Sequence, residues 1–134
     1  MTLVLVNGGE VIVVNATTTK TAGQNLVLGL YKSNTVLAEA TVIADLTLAD
    51  FTGYSAETLT AANWTTTAGA PTNTTYPEVT FTSSAGSQSQ AVYGYYLTQI
   101  TSGLLVWAET FTDGPYTITN NGDTIKITLN FTMA

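Results

Sequence analysis

Three acids are the residues in this chain best suited to chemistry: Glu109, beside Trp107, and the pair Asp50 with Glu57. Carboxylates flanking a sugar are the minimum for glycoside hydrolysis, one to donate a proton and one to act as base or nucleophile. Little else is available. The sequence has no cysteine and no histidine, so thiol–imidazole and serine–imidazole nucleophiles cannot be built, and ordinary zinc ligation goes with them. Asp113-Gly114 and the run Asn120-Asn121-Gly122-Asp123 hint at calcium. However, Asn-Gly-Asp at a strand boundary is already explained by turn geometry, and the spaced acidic ligands of a calcium loop are missing. The acids read more simply as solvated rim charges, because any β-protein of this size offers such pairs and spacing in sequence does not set distance in space. The expectation is therefore a protein that is not an enzyme, with no catalytic residue, no metal site and no cofactor. Asn-x-Thr triplets at Asn15, Asn63, Asn73 and Asn130 are what chance yields in a chain so rich in Thr and Asn.

Composition narrows the field further. At 134 residues the chain fits one domain, residues 1–134, able to bury a core without crosslinks. Only 9% of residues are charged and the net charge is −6, with Lys20, Lys32 and Lys126 as the sole cations. Such a surface repels phosphate backbones, so nucleic acid is excluded as a partner. No apolar run reaches the ~20 residues of a spanning helix, so no membrane partner is expected. The start, MTLVLVNGGEV, lacks the basic segment and long apolar run of a signal peptide. Solvated faces must be covered mainly by Thr, Ser and Asn, while Val, Ile, Tyr and Thr favour pleated strands.

The elements follow from alternation and turn residues. LVLVNGGEVIVVN reads as a hairpin around Asn7-Gly8-Gly9. TTTKTAGQ is a loop; NLVLGLYK and VLAEATVIA are strands separated by Ser33-Asn34. ADLTLADFTGYSAETLT reads as a loop, within which Leu46, Ala49 and Phe51 could share one face of a single helical turn with Asp45 as cap and Gly53 as its end. Tyr54 to Thr60 reads as a strand, restarting at Asn63-Trp64-Thr65, and TTAGAPTNTT as an exposed loop. YPEVTFTS has the proline of an edge strand.

The ring-rich stretch 91–111 reads as a central hairpin around Thr101-Ser102-Gly103. Ala91, Tyr93, Tyr95 and Leu97 share one face of it, against Val92, Gly94, Tyr96 and Thr98 on the other. In the return strand Leu104, Val106 and Ala108 oppose Leu105, Trp107 and Glu109. Trp107, Tyr93 and Tyr95 are expected in the core, Tyr96 and Tyr116 partly exposed. The last strand, TIKITLNFTM, points Ile125, Ile127, Leu129, Phe131 and Met133 inward. Eight to ten strands at such spacings predict an all-β fold with little helix: a single-domain antiparallel β-sandwich of the jelly-roll or Ig-like kind. The apolar segment 1–6 is expected to pair with the last strand or to be covered by a neighbouring chain.

Three stretches carry a resemblance: Asp50-Phe51-Thr52-Gly53-Tyr54, Val92-Tyr93-Gly94-Tyr95-Tyr96 and Leu105-Val106-Trp107-Ala108-Glu109. From Leu26 onward the chain resembles small all-β structural proteins of tailed bacteriophages. That resemblance implies a non-enzymatic virion component made in the host cytoplasm. Foremost it implies a decoration or cement protein that binds the major capsid protein or other virion proteins as a homo-oligomer, a trimer for instance. The alternative it implies is a tail or fibre accessory that binds a host receptor or glycan. It brings no assigned site residues.

Overall fold

The computed structural model describes residues 4–18 and 24–133, whose backbone is mostly extended, with twelve strands and one α-helix. In chain order these are β1 (Val4–Leu5), α1 (Asn7–Thr17), β2 (Leu26–Tyr31), β3 (Glu57–Leu59), β4 (Thr65–Thr67), β5 (Thr72–Thr75) and β6 (Val79–Thr82). Next come β7 (Gln90–Val92), β8 (Gly94–Gln99), β9 (Leu105–Thr110), β10 (Tyr116–Ile118), β11 (Thr124–Ile127) and β12 (Asn130–Met133). Every pairing is antiparallel, and no sheet among the described residues closes into a barrel. The fold is an all-β, sandwich-like one, as expected. The strand count exceeds eight to ten partly because stretches that read as single strands break in two.

Four successive pairings share one centre. The turn at Thr101-Ser102-Gly103, with Gly103 at φ 68°, joins β8 to β9 (Leu97↔Trp107). Outside that pair lie β7 with β10 (Ala91↔Thr117), β6 with β11 (Phe81↔Ile125) and β5 with β12 (Thr74↔Phe131). Residues 72–133 therefore form one long antiparallel ribbon, interrupted between successive pairs and folded over. Nested pairing of this kind matches the jelly-roll alternative rather than the immunoglobulin one. β2 adds to β8 (Leu28↔Leu97), β3 to β2 and β1 to β9, giving a five-stranded sheet in the order β1-β9-β8-β2-β3.

Both faces of this sheet are covered, as central strands with apolar residues on both sides require. On one, Leu28, Leu30, Tyr95 and Leu97 pack with Phe81, Ile118, Ile125, Ile127 and Leu129. On the other, Tyr31, Tyr96, Leu105 and Ala108 pack with Val6 and Leu46. Leu28, Leu30 and Leu97 have no exposed surface; burying each contributes about 1.5–3 kcal/mol.

The expected face assignment of 91–108 needs correction. Val92 and Tyr95, three residues apart, meet the first cluster, while Tyr93 and Tyr96 meet the second. Tyr93 interrupts the strand: its amide donates to the Tyr31 carbonyl (2.9 Å) and its carbonyl accepts from Phe111 N (2.8 Å). A second irregularity falls opposite Leu97/Thr98, where Val106 is left without a Cα partner. Leu105 and Ala108 thus share a face. Each extra residue flips the parity of all later positions in its strand, which simple alternation cannot register.

Further corrections concern the chain's first half and its end. There is no hairpin at Asn7-Gly8-Gly9. β1 pairs with β9 (Leu5↔Trp107), not with the last strand, and the chain then enters α1. A two-residue strand offers too short an edge to template a return strand, whereas a helix satisfies its own amides. Gly9 lets the helix lie close on β9: a Cβ there would collide with the Val106 carbonyl oxygen. Residues 1–3 of the apolar start lie outside the described residues.

Residues 36–42 form no strand, and 43–44 begin a 3₁₀ turn, Ile43–Asp45. Asp45 closes that turn rather than opening one, its Oδ2 accepting from Val42 N (2.9 Å). Side chains tie down the stretch around Asp50: Asp50 N and Thr52 N donate to Gln90 Oε1 and Gln88 Oε1, both at 3.0 Å. TTAGAPTNTT is largely a hairpin of β4 and β5 (Thr66↔Thr74), not a loop. The final strand splits after Ile127, and Met133, expected inside, is 72% exposed.

Candidate functional site

The Glu109 carboxylate sits opposite Tyr95 in the β8–β9 ladder, is buried, and accepts the Tyr95 hydroxyl's hydrogen bond. Tyr31, fully buried, donates to the Glu109 carbonyl (3.2 Å) and shares a 2.8 Å hydrogen bond with Thr110 Oγ1. This acid is therefore a strut between strands. Asp50 is taken by Lys32 (2.6 Å) and Gln90, and Glu57 is exposed on β3 opposite Leu28, so no interaction joins Asp50 to Glu57. Lys32 holds the Asp50 carboxyl below the usual carboxylate range, helped by Gln90. Asp123 Oδ2 accepts from Thr119 N (2.8 Å) and Asn120 N (2.7 Å), which is turn chemistry. Among the described residues no three metal-binding side chains gather. Asn73 is half-buried on β5 with its Oδ1 buried and unbonded, unlike an open glycosylation acceptor.

The rings mostly hold the core together. Trp107 stacks on Phe131 (4.2 Å between centroids, 20° between planes), and Phe131 reaches Trp64 at 5.7 Å. Tyr95 is buried as expected and Tyr116 is 43% exposed, but Tyr96 is buried too, its ring facing Gly29. Burial pushes the hydroxyls of Tyr31, Tyr54, Tyr95 and Tyr96 above the ordinary tyrosine range, with Glu109 adding to the effect at Tyr95. Because the folded values exceed the unfolded one, this contribution to stability is intact below about pH 10 and is lost as pH rises through the folded values. An alkaline titration followed by phenolate absorbance and far-UV circular dichroism is expected to show these rings ionising only as the fold is lost. Ionisation of all seven tyrosines near pH 10 without unfolding would contradict it.

One open surface is apolar and uncharged. Between α1 and the sheet β12-β5-β4 runs a groove of about 580 Å³. Leu5, Trp107, Phe131 and Met133 line it, and threonines 66, 72 and 74 form its hydroxylated wall. The same helix, α1, also exposes Val11 at 55% and Val14 at 59%. No charged residue lines the groove. Sequence reasoning missed this surface because the turn signal of Asn7-Gly8-Gly9 masked the i,i+3 spacing that puts Val11 and Val14 on one helical face.

The chain was compared with family models, with curated proteins and with solved structures, and none matches it significantly.

Proposed function

We propose that this chain is a non-enzymatic structural protein of a tailed-phage virion, a decoration or cement protein that binds the major capsid protein and works as a homo-oligomer. The observation that carries the proposal is exposed apolar surface: the uncharged groove lined by Leu5, Val13, Trp107, Phe131 and Met133, and the exposed Val11 and Val14 of α1. Exposed valines on a short helix, next to a hydroxyl-rich sheet, form a surface suited to adhesion and not to turnover. The buried Glu109–Tyr95 strut supports the same reading, since it uses for stability the acid that a hydrolase would need in a cleft. A tail-receptor role called for an open row of rings; among the described large hydrophobic side chains that are exposed, Tyr116 is the one ring.

Imaging of intact particles together with gel densitometry tests the location. Hundreds of copies on the head lattice are expected, and a few copies at the tail would overturn the head assignment. Val11→Asp combined with Val14→Asp is expected to abolish binding to undecorated heads while leaving the melting temperature within a few degrees, because both side chains are already exposed. Wild-type binding by that variant would remove the valines of α1 from the proposal.

A further inference from the structure

A second opening lies where the folded ribbon parts. β10 and β11 are consecutive in sequence but do not pair: β10 belongs to β7 and β11 to β6. The segment between them, 119–123, is fastened instead to the loop after β6. Ser83 N donates to the Asp123 carbonyl (2.9 Å) and Gly122 N to the Ser83 carbonyl (2.9 Å). The two strands consequently diverge from a fixed corner and leave a cleft of about 520 Å³, within the ~300–1,000 Å³ usual for small-molecule sites.

The groups lining the cleft have a definite chemistry. Tyr116, exposed at the mouth, is braced against Phe111 with ring centroids 5.0 Å apart and planes at 57°. Asp123 is held by its Oδ2, which accepts from Thr119 N, Thr119 Oγ1 and Asn120 N, leaving Oδ1 without a partner among the described residues. Lys126 supplies an ammonium donor tied to Glu78 at 3.2 Å, and Asn120 and Thr124 add an amide and a hydroxyl. An immobile acceptor, an ammonium donor and a braced aromatic face together fit a ligand with many hydroxyls on one side and C–H groups on the other. Lys126 is already paired with Glu78, Asp123 keeps its negative charge and the whole chain is at −6, so the cleft does not select acidic ligands.

We infer that the β10–β11 cleft is a binding site for a neutral carbohydrate, with Tyr116 as the stacking ring and Asp123 and Lys126 as hydroxyl-binding groups. The site goes beyond the structural role proposed above and does not depend on it. Its test uses the full chain with maltohexaose, cellohexaose and mannohexaose as neutral probes and an oligogalacturonate as the acidic one. Binding is read by saturation-transfer NMR and titration calorimetry.

At least one neutral oligosaccharide is expected to bind, and the acidic one is expected not to. Tyr116→Ala is expected to weaken the bound sugar at least about tenfold, which corresponds to about 1.4 kcal/mol, with Tyr116→Phe close to wild type. Lys126→Ala is expected to weaken it as well. No binding of any neutral probe up to about 10 mM would overturn the proposal. So would tighter binding of the oligogalacturonate, or binding that survives Tyr116→Ala in a folded variant. Head binding without sugar binding would remove this inference alone, and sugar binding without head binding would remove only the decoration role.

Discussion

Alanine at Gly94 is expected to destabilise the protein by about 3 kcal/mol, the largest loss expected from alanine at any of the described glycines. Gly94 opens β8 and pairs with Thr110 on β9. A Cβ there would overlap the Glu109 carbonyl oxygen and stand 2.5 Å from the Tyr31 hydroxyl oxygen. Neither neighbour can give way cheaply. The carbonyl belongs to the central ladder and accepts from Tyr31, and Tyr31 is fully buried with its hydroxyl also engaged by Thr110. Relief would require opening the β8–β9 pairing or expelling Tyr31, and either exposes the second core cluster. Gly103→Ala is the useful contrast. Its Cβ would meet nothing within 4 Å, and its cost comes from φ 68° alone, about 1–2 kcal/mol. Urea unfolding of the two variants checks the order. A Gly94→Ala protein as stable as Gly103→Ala would mean that β8 and β9 are not packed as described.

The second large effect is expected from Tyr95→Phe. The ring would keep its place against Phe111 (6.3 Å between centroids), but the buried Glu109 carboxylate would lose its hydroxyl donor. Leaving a charged acceptor buried and unpaired costs about 2–3 kcal/mol. Glu109→Gln retains an acceptor for the same hydroxyl and is expected to cost about 1 kcal/mol. Combining the changes exposes the coupling. Once the hydroxyl is gone, removing the charge relieves the penalty, so the double variant is expected to be more stable than the sum of the singles predicts by at least about 1 kcal/mol. Additivity within about 0.5 kcal/mol would show that Glu109 reaches water and that the strut is incidental.

Three of the acids have structural partners. Glu109 joins strands, Asp50 anchors a loop through Lys32 and Gln90, and Asp123 closes the turn that shapes the β10–β11 cleft. The surfaces proposed for partners are the exposed valines of α1, the uncharged groove and the cleft at Tyr116. They differ in chemistry, so binding to a protein shell and binding to a sugar can be separated by experiment.

The class of fold and the central place of residues 91–111 were legible in the order of amino acids. Alternation of apolar and hydroxylated residues is a local property of strands, and Thr101-Ser102-Gly103 is a local turn signal. Long-range packing settled what local patterns cannot encode. The interruption at Tyr93 and the extra residue at Val106 set which ring faces which cluster, and each depends on what the neighbouring strand can accept. Val11 to Val14 entered a helix because β1 is too short to template a second strand, although their β-branched side chains favour one. The separation of β10 from β11, and with it the cleft, results from pairings to β7 and β6 made across long stretches of chain. Non-local hydrogen bonding chose among conformations that the local sequence left close in energy, and both proposed binding surfaces arose from that choice.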